Sequence, residues 1–374
     1  MAAPCVAFDV GPLVGPRTGI GAAVAALKRS LDQRDDVAIL PYITSFRAEL
    51  DTGVRRLPIP AAVAHRLWMH TDHPRADRWL PTEPTDGTPP SVLHGTNYVV
   101  PPSRIPRLVS VYDCWFLRHP EWASPVVRRA GDRLRRAVAR GSYVHASSQA
   151  TADEVKELLA TDRVETIPLG PPPVPPPVAA LATPAGLADV GGRRLIVAIG
   201  TEERRKDLPM LVEAFRQVAV RRDDVELVLA GARGDDSVGL ERSLAGLSAA
   251  AAGRVRRLGA IDDATKHWLM RRAAVLAYPS LDEGFGFPIL EAQLAATPVV
   301  ASDVGAVAEI AGEGAVLVAG RDPADFAAAL DRTLDDGGLR LGLIEAGQRN
   351  VRRYSWDHTG ARLTALYRRV AADR

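Results

Sequence analysis

The chain has 374 residues, 47% of them hydrophobic and 25% charged, with a formal net charge of +2. That length exceeds the roughly 100 to 200 residues of a single domain, so two separate cores are expected. Ordinary globular usage excludes a long disordered tail, and near-neutral charge excludes bulk attraction to nucleic acid.

Cysteine occurs only at Cys5 and Cys114, without paired spacing or a His cluster, so neither a disulfide framework nor a zinc site is expected and a reducing cytoplasm fits. Met1 to Val10 lacks a basic leader region and reaches Asp9 too soon for a secretory apolar segment, and so reads as mature protein. No apolar run approaches the roughly 18 residues of a spanning helix, which limits membrane contact to the periphery.

Short runs rich in Val, Ile and Leu alternate with helical stretches, the pattern of parallel βαβ units. In the first half, strands are predicted near 4–10, 37–42, 91–94, 107–112 and 143–147, with helices at 20–32 and 122–140 between them. The run Pro168 to Pro177 lacks amide donors at most positions and favours extended geometry, so a domain boundary is placed there. Strands near 194–200, 225–230, 274–278 and 298–301 repeat the logic in the second half. The expected organisation is an α/β chain with an N-terminal domain over 1–170, a Pro-rich linker over 171–177 and a C-terminal domain over 178–353. An amphipathic helix over 354–374 returns to the first domain through Leu363, Leu366, Tyr367 and Val370.

In open sheets of this type ligands sit beyond the carboxyl ends of the strands. After the strand ending at Tyr278 comes Pro279-Ser-Leu-Asp-Glu283-Gly-Phe-Gly-Phe-Pro-Ile-Leu-Glu291, a Gly-containing turn running into a helix. Amides of Gly284, Phe285, Gly286 and Phe287 at a helix start suit a phosphate, while Glu283 and Glu291 suit hydroxyl donors such as a sugar and a ribose. After the strand ending at Ile199 comes Gly200-Thr-Glu-Glu-Arg-Arg205-Lys206-Asp-Leu, whose planar fork and point cation suit a diphosphate. Read alone, each loop could be a capped helix or a solvated charged turn.

Together these residues resemble the family-four retaining glycosyltransferases of the GT-B fold. The family's donor pattern reads like PS..EGFGFP.LEA...G.PVV.S, and this chain has PSLDEGFGFPILEAQLAATPVVAS from Pro279 to Ser302. The turn Gly200 to Leu208 resembles G(T/R).EPRKNL, with Arg204 where Pro is common. His94-Gly-Thr-Asn97-Tyr-Val-Val-Pro-Pro102 resembles HGTN...PP, and Asp113 to Glu121 resembles the stretch after an HD dipeptide whose His is replaced here by Tyr112.

The resemblance implies two Rossmann-like doubly wound domains facing a central cleft. It assigns the donor diphosphate to Arg205 and Lys206, the transferred sugar to Glu283, the ribose to Glu291 and the base to the segment Leu258 to Ile261. Tyr112 and Asp113 take the place of the family dipeptide in catalysis. His94, Asn97 and Trp115 are acceptor candidates, with Phe116 and Trp122 as possible companions in an aromatic platform.

The loop Val10 to Gly21 raises a different class, because Gly15, Gly19 and Gly21 have the glycine spacing of short-chain dehydrogenases. That family also needs a Tyr and a Lys four apart, and none of the seven tyrosines has one. In the transferase reading Gly19 and Gly21 let backbone amides approach donor or acceptor. The combination of HGTN and EGFGFP resembles bacterial mannosyltransferases of polysaccharide assembly, and this resemblance implies transfer of a hexose, foremost mannose from GDP-mannose, to an oligosaccharide or glycolipid acceptor with retention. No metal or other cofactor is expected, since the nucleotide sugar is a substrate. UDP-glucose as donor, a weakened binding module and an epimerase are the alternatives. The arginine-rich stretch Val126 to Gly141 reads as a solvated helix face, with an anionic membrane surface as its alternative.

Overall fold

A computed structural model describes residues 3–14, 19–44, 53–83, 87–177, 181–184 and 186–373. They form two compact units, Met1–Gly170 with Tyr354–Arg374, and Pro171–Arg353.

The first unit is built on β1 (Cys5–Asp9), β2 (Ala38–Ile43), β3 (Arg55–Arg56), β4 (Val92–Gly95), β5 (Arg107–Val111), β6 (Tyr143–Ala146) and β7 (Val164–Thr166). These seven strands run parallel in the order β3-β2-β1-β4-β5-β6-β7, with Phe8 opposite His94 and Val109 opposite Val144. Val6, Phe8, Leu93, Leu108 and Val144 are fully buried, as expected of strands covered on both faces. The helix Pro125–Ala139 starts three residues later than predicted, because the Ser124 hydroxyl accepts from the Val127 amide and Pro125 sits in the first turn.

Helix Trp356–Ala372 belongs to this first unit. The Ser30 hydroxyl donates to the Trp356 carbonyl at 2.7 Å, and a Cβ on Gly360 would lie 2.4 Å from that hydroxyl, so only glycine allows this approach. Deeper in, the Tyr367 hydroxyl meets His94 Nδ1 at 2.7 Å.

The second unit holds β8 (Arg194–Ile199), β9 (Val225–Ala230), β10 (Val255–Gly259), β11 (Ala273–Tyr278), β12 (Val299–Ser302) and β13 (Val316–Val318). Their order is β10-β9-β8-β11-β12-β13, again all parallel. Both sheets are therefore doubly wound, and their strand orders reverse between β1 and β4 and between β8 and β11.

Four short strands, β3, β7, β10 and β13, went unanticipated. β10 carries Arg256 and Arg257, whose guanidinium groups answer Glu226 and Glu202 across the sheet. The expected base-contacting segment changes accordingly, since Leu258 and Gly259 finish β10 and only Ala260 and Ile261 lie in the loop. Pro175 is buried within the second unit, and Arg271 donates to its carbonyl at 2.7 Å.

Candidate active site

In the second unit, the loops that follow β8 and β11 meet at the point where strand order reverses. The Leu281 amide donates to the Arg205 carbonyl at 2.7 Å, which locks one loop against the other. The first loop tightens into a helical turn over Arg204–Lys206 and turns at Asp207, whose φ of 44° is left-handed. Arg321 holds the Asp207 carboxylate at 2.7 Å, anchoring that strained residue. The second loop reaches helix Phe287–Leu294 through Gly286 at φ 89°, with Pro288 in the first turn.

Glu283 lies at the centre of the cluster, only 7% exposed. One carboxylate oxygen accepts from Lys206 Nζ and from the Ser280 hydroxyl at 2.9 Å, and the other accepts from Arg205 Nη1. Burial opposes ionisation of Glu283, but Arg205, Lys206 and Ser280 outweigh it and hold the carboxyl at about 2. Burial pulls Lys206 below its ordinary value despite Glu283, which makes it a dehydrated cation. Its ammonium also donates to the Tyr278 hydroxyl at 3.1 Å, 4.9 Å from that ring's centroid. Arg205 also reaches the half-exposed Glu203 carboxylate at 3.4 Å, so the two cations face one buried and one more exposed carboxylate.

Gly305 packs against this cluster at φ 47°, where a Cβ would approach Asp282 Oδ1 to 2.6 Å. Gly200 leaves room for the lysine, since a Cβ there would sit 3.2 Å from Lys206 Cε. Glu291 lies one turn along its helix and accepts from Lys266 Nζ at 2.8 Å, a partner that sequence reasoning missed. Burial weakens the Lys266 charge, yet Glu291 and Asp263 raise it overall. Gly284, Phe285 and Gly286 are buried and Phe287 is half-buried, with the two phenyl rings 5.0 Å apart. Half-buried Ile261 borders the same unit's core beside Trp268 and Leu269.

The first unit corrects two site assignments. Tyr112 is 6% exposed and donates its hydroxyl to the Thr96 carbonyl at 2.8 Å, and burial raises it beyond its ordinary value, so it is neither a base nor an open sugar contact. His94 is fully buried, its ring nitrogens bonded to Tyr367 and, at 2.9 Å, to Ser110; it is a core histidine and not an acceptor contact. Asp113 is half-buried, accepting from the Tyr98 hydroxyl at 3.1 Å and from the Trp115 amide at 3.2 Å. Asn97 lies in the tight turn beside Tyr98, whose φ is 58°, and its buried Oδ1 has no hydrogen-bond partner among the described residues. Trp115 packs against His119 and Trp122, with centroids 4.1 and 5.4 Å away, whereas Phe116 joins the core.

Gly19 and Gly21 open helix Gly19–Asp32, the first exposed and the second buried, while Gly15 lies outside the described residues. Sequence reasoning also missed Asp9, where β1 ends at the first unit's own reversal point. Burial raises its carboxyl to about 7 against the opposing Gly11 amide, and the neighbouring Tyr42 hydroxyl is buried with no partner among the described residues.

A family model described as Glycosyl transferases group 1 matches residues 193–336, which contain the whole Arg205, Lys206 and Glu283 cluster. The chain has the GT-B fold. It is 36% identical over 183 residues to a phosphatidyl-myo-inositol mannosyltransferase of Mycolicibacterium smegmatis, covering 48% of this chain and 46% of that protein. It is 36% identical over 199 residues to a D-inositol 3-phosphate glycosyltransferase of Salinispora tropica, covering 50% and 40%. The chain thus spans about half the length of these curated relatives.

Two solved structures share the GT-B fold along nearly the whole chain. One is WaaG, a glycosyltransferase involved in lipopolysaccharide biosynthesis, at TM-score 0.68, 16% identity and 96% and 99% coverage. The other is Anabaena HepE in complex with UDP and glucose, at TM-score 0.68, 17% identity and 96% and 98% coverage. Among the described residues, no helix of this GT-B chain is long and apolar enough to cross a membrane.

One departure from the donor pattern has a measurable cost. Where the pattern has glycine after the helix, this GT-B chain has Ala296 at φ 59°. A left-handed alanine costs roughly 1 kcal/mol. Ala296→Gly is therefore expected to raise the melting temperature of this unit by about 2 to 4 °C in a calorimetric scan. An unchanged or lowered midpoint would show that the strain is offset locally.

Proposed function

We propose that the chain is a hexosyltransferase that moves mannose from GDP-mannose to an oligosaccharide or glycolipid acceptor with retention, working in the cytoplasm with at most peripheral membrane contact. One observation carries the reading: Arg205, Lys206 and Glu283 converge where the strand order of the second sheet reverses. The mannosyltransferase relative supports the choice of sugar.

In this reading Arg205 and Lys206 exchange part of their hold on Glu283 for the donor diphosphate. Gly200 and the segment Gly284 to Phe287 border it, Glu291 meets the ribose and Ile261 the base. The bond from the anomeric carbon to the diphosphate oxygen breaks, its electron pair leaving on the nucleotide. The acceptor hydroxyl oxygen bonds to that carbon from the same face, and its proton passes to the departing phosphate oxygen. Developing charge on the leaving group meets pre-placed cations in a site with little water, where such charges act most strongly. Asp113 remains a catalytic candidate, Gly19 and Gly21 remain donor-side candidates and Asn97 and Trp115 acceptor candidates; Tyr112 leaves the first group and His94 the last.

The test is to incubate the purified chain with GDP-mannose or UDP-glucose, with and without a panel of oligosaccharide and glycolipid acceptors. Acceptor-dependent GDP release with a mannosylated product is expected, persisting in EDTA because Arg205 and Lys206 supply the positive charge. Release of UDP alone would reassign the donor. Binding without turnover, or donor conversion without acceptor, would overturn the transferase reading.

A further inference from the structure

At the amino ends of β4 to β7, opposite the strand ends that carry Asp9 and Asp113, the first unit holds a cavity of about 1200 Å³. Arg75, Arg78, Arg104, Arg107, Arg140 and Arg163 all line it, against only Asp77 and Asp373 as acidic lining residues. The two carboxylates are already committed. Asp373 pairs with Arg163 and accepts from the Tyr143 hydroxyl at 2.8 Å. Asp77 accepts from the Ser103 hydroxyl and, at 2.8 Å, from the Arg104 amide, which shapes the loop, and it acts on Arg107 only from a distance. Arg140 shares Asp72 with Arg136.

Arg75, Arg78, Arg104 and Arg107 form no ion pair with any carboxylate among the described residues. Arg107 is half-buried and donates to the Arg140 carbonyl at 3.0 Å, a neutral acceptor. Burial, with help from Arg140, lowers its pKa although Asp72 and Asp77 oppose the shift from a distance, as expected of a guanidinium that has given up water without a carboxylate in contact. Pro74, Pro90 and Trp79 add apolar wall. Guanidinium forks match phosphate oxygens two at a time, and a cavity of this size exceeds the usual small-molecule cleft.

We propose that this cavity binds a ligand carrying two or more phosphate groups, seated on Arg75, Arg78, Arg104 and Arg107. The site lies wholly in the first unit and does not depend on the donor reading. Its phosphates belong either to a soluble molecule or to a lipid headgroup.

Isothermal titration of the full chain with tripolyphosphate tests the first source, and sedimentation with phosphatidylcholine vesicles containing cardiolipin, whose headgroup carries two phosphates, tests the second. Each measurement uses the native chain, the exposed pair R78E/R104E and the donor-site variant K206A, with circular dichroism and melting to verify folding. The expected result is saturable binding in at least one assay that K206A retains and R78E/R104E weakens by roughly tenfold or more for each arginine. Heat with tripolyphosphate assigns a soluble ligand; binding to vesicles alone assigns a headgroup. Absence of binding in both assays, or binding that R78E/R104E keeps and K206A loses, overturns the proposal. If R78E/R104E melts early, the single neutral variants R78Q and R104Q replace it under the same criteria.

Discussion

Lys206→Ala is expected to lower kcat by roughly 10²- to 10³-fold with a much smaller change in KM, a loss of about 2.7 to 4 kcal/mol by analogy with removal of one oxyanion donor. The reason is the setting of Lys206. It is dehydrated, oriented by Tyr278 and Glu283, and placed where a strand-end loop would meet a leaving diphosphate. A lysine that only braced Glu283 would show its loss in melting temperature rather than in turnover. An unchanged kcat with a lowered midpoint would therefore remove Lys206 from the chemistry. Lys206→Arg keeps the charge but changes a compact ammonium into a planar fork, and is expected to recover only part of the rate.

Glu283→Ala should have the largest effect on stability. It leaves Arg205 and Lys206 facing each other in a buried site without their shared carboxylate, which typically costs about 3 to 5 kcal/mol. For a unit of this size, that is a fall of roughly 6 to 20 °C in its melting midpoint. Because the folded carboxyl sits near 2, below its ordinary 4.5, its stabilisation is complete above about pH 4.5 and is lost as pH falls toward 2. Glu283→Gln should accordingly remove part of the wild type's acid sensitivity within that window, a difference on the order of a few kcal/mol. Chemical denaturation of both proteins between pH 2 and 6 measures it. Parallel pH profiles would show that the clamp on Glu283 contributes little. Adding a diphosphate such as GDP should return stability to Glu283→Ala, since an anion could then share the stranded cations.

What the sequence disclosed follows from burial. β8, β9, β11 and β12 read clearly because strands covered on both faces must be continuously apolar. β7 and β10 did not, because Val164-Glu-Thr166 and Val255-Arg-Arg-Leu-Gly259 are edge strands whose charged residues find partners only in three dimensions. The same limit applied to side chains. Glu202 looks like part of a solvated charged run, yet it is 4% exposed and takes both forks of Arg257 from β10. By motif Tyr112 stands in the place of a catalytic His and His94 is an acceptor candidate, but distant partners decide their fate, Thr96 for one and Tyr367 for the other. The loop with Arg205, Lys206 and Glu283 was legible because its residues lie in two contiguous stretches at predictable strand ends. The pairing of Lys266 with Glu291 was not, since nothing in their spacing signals it.

The return of helix Trp356–Ala372 to the first unit has a consequence for biosynthesis. The polypeptide leaves that unit after Gly170 and rejoins it at Tyr354, so residues 171–353 form an insert within it. Translation therefore delivers the whole insert before the hydroxyl that His94 requires in its core exists. The unit begun first is finished last.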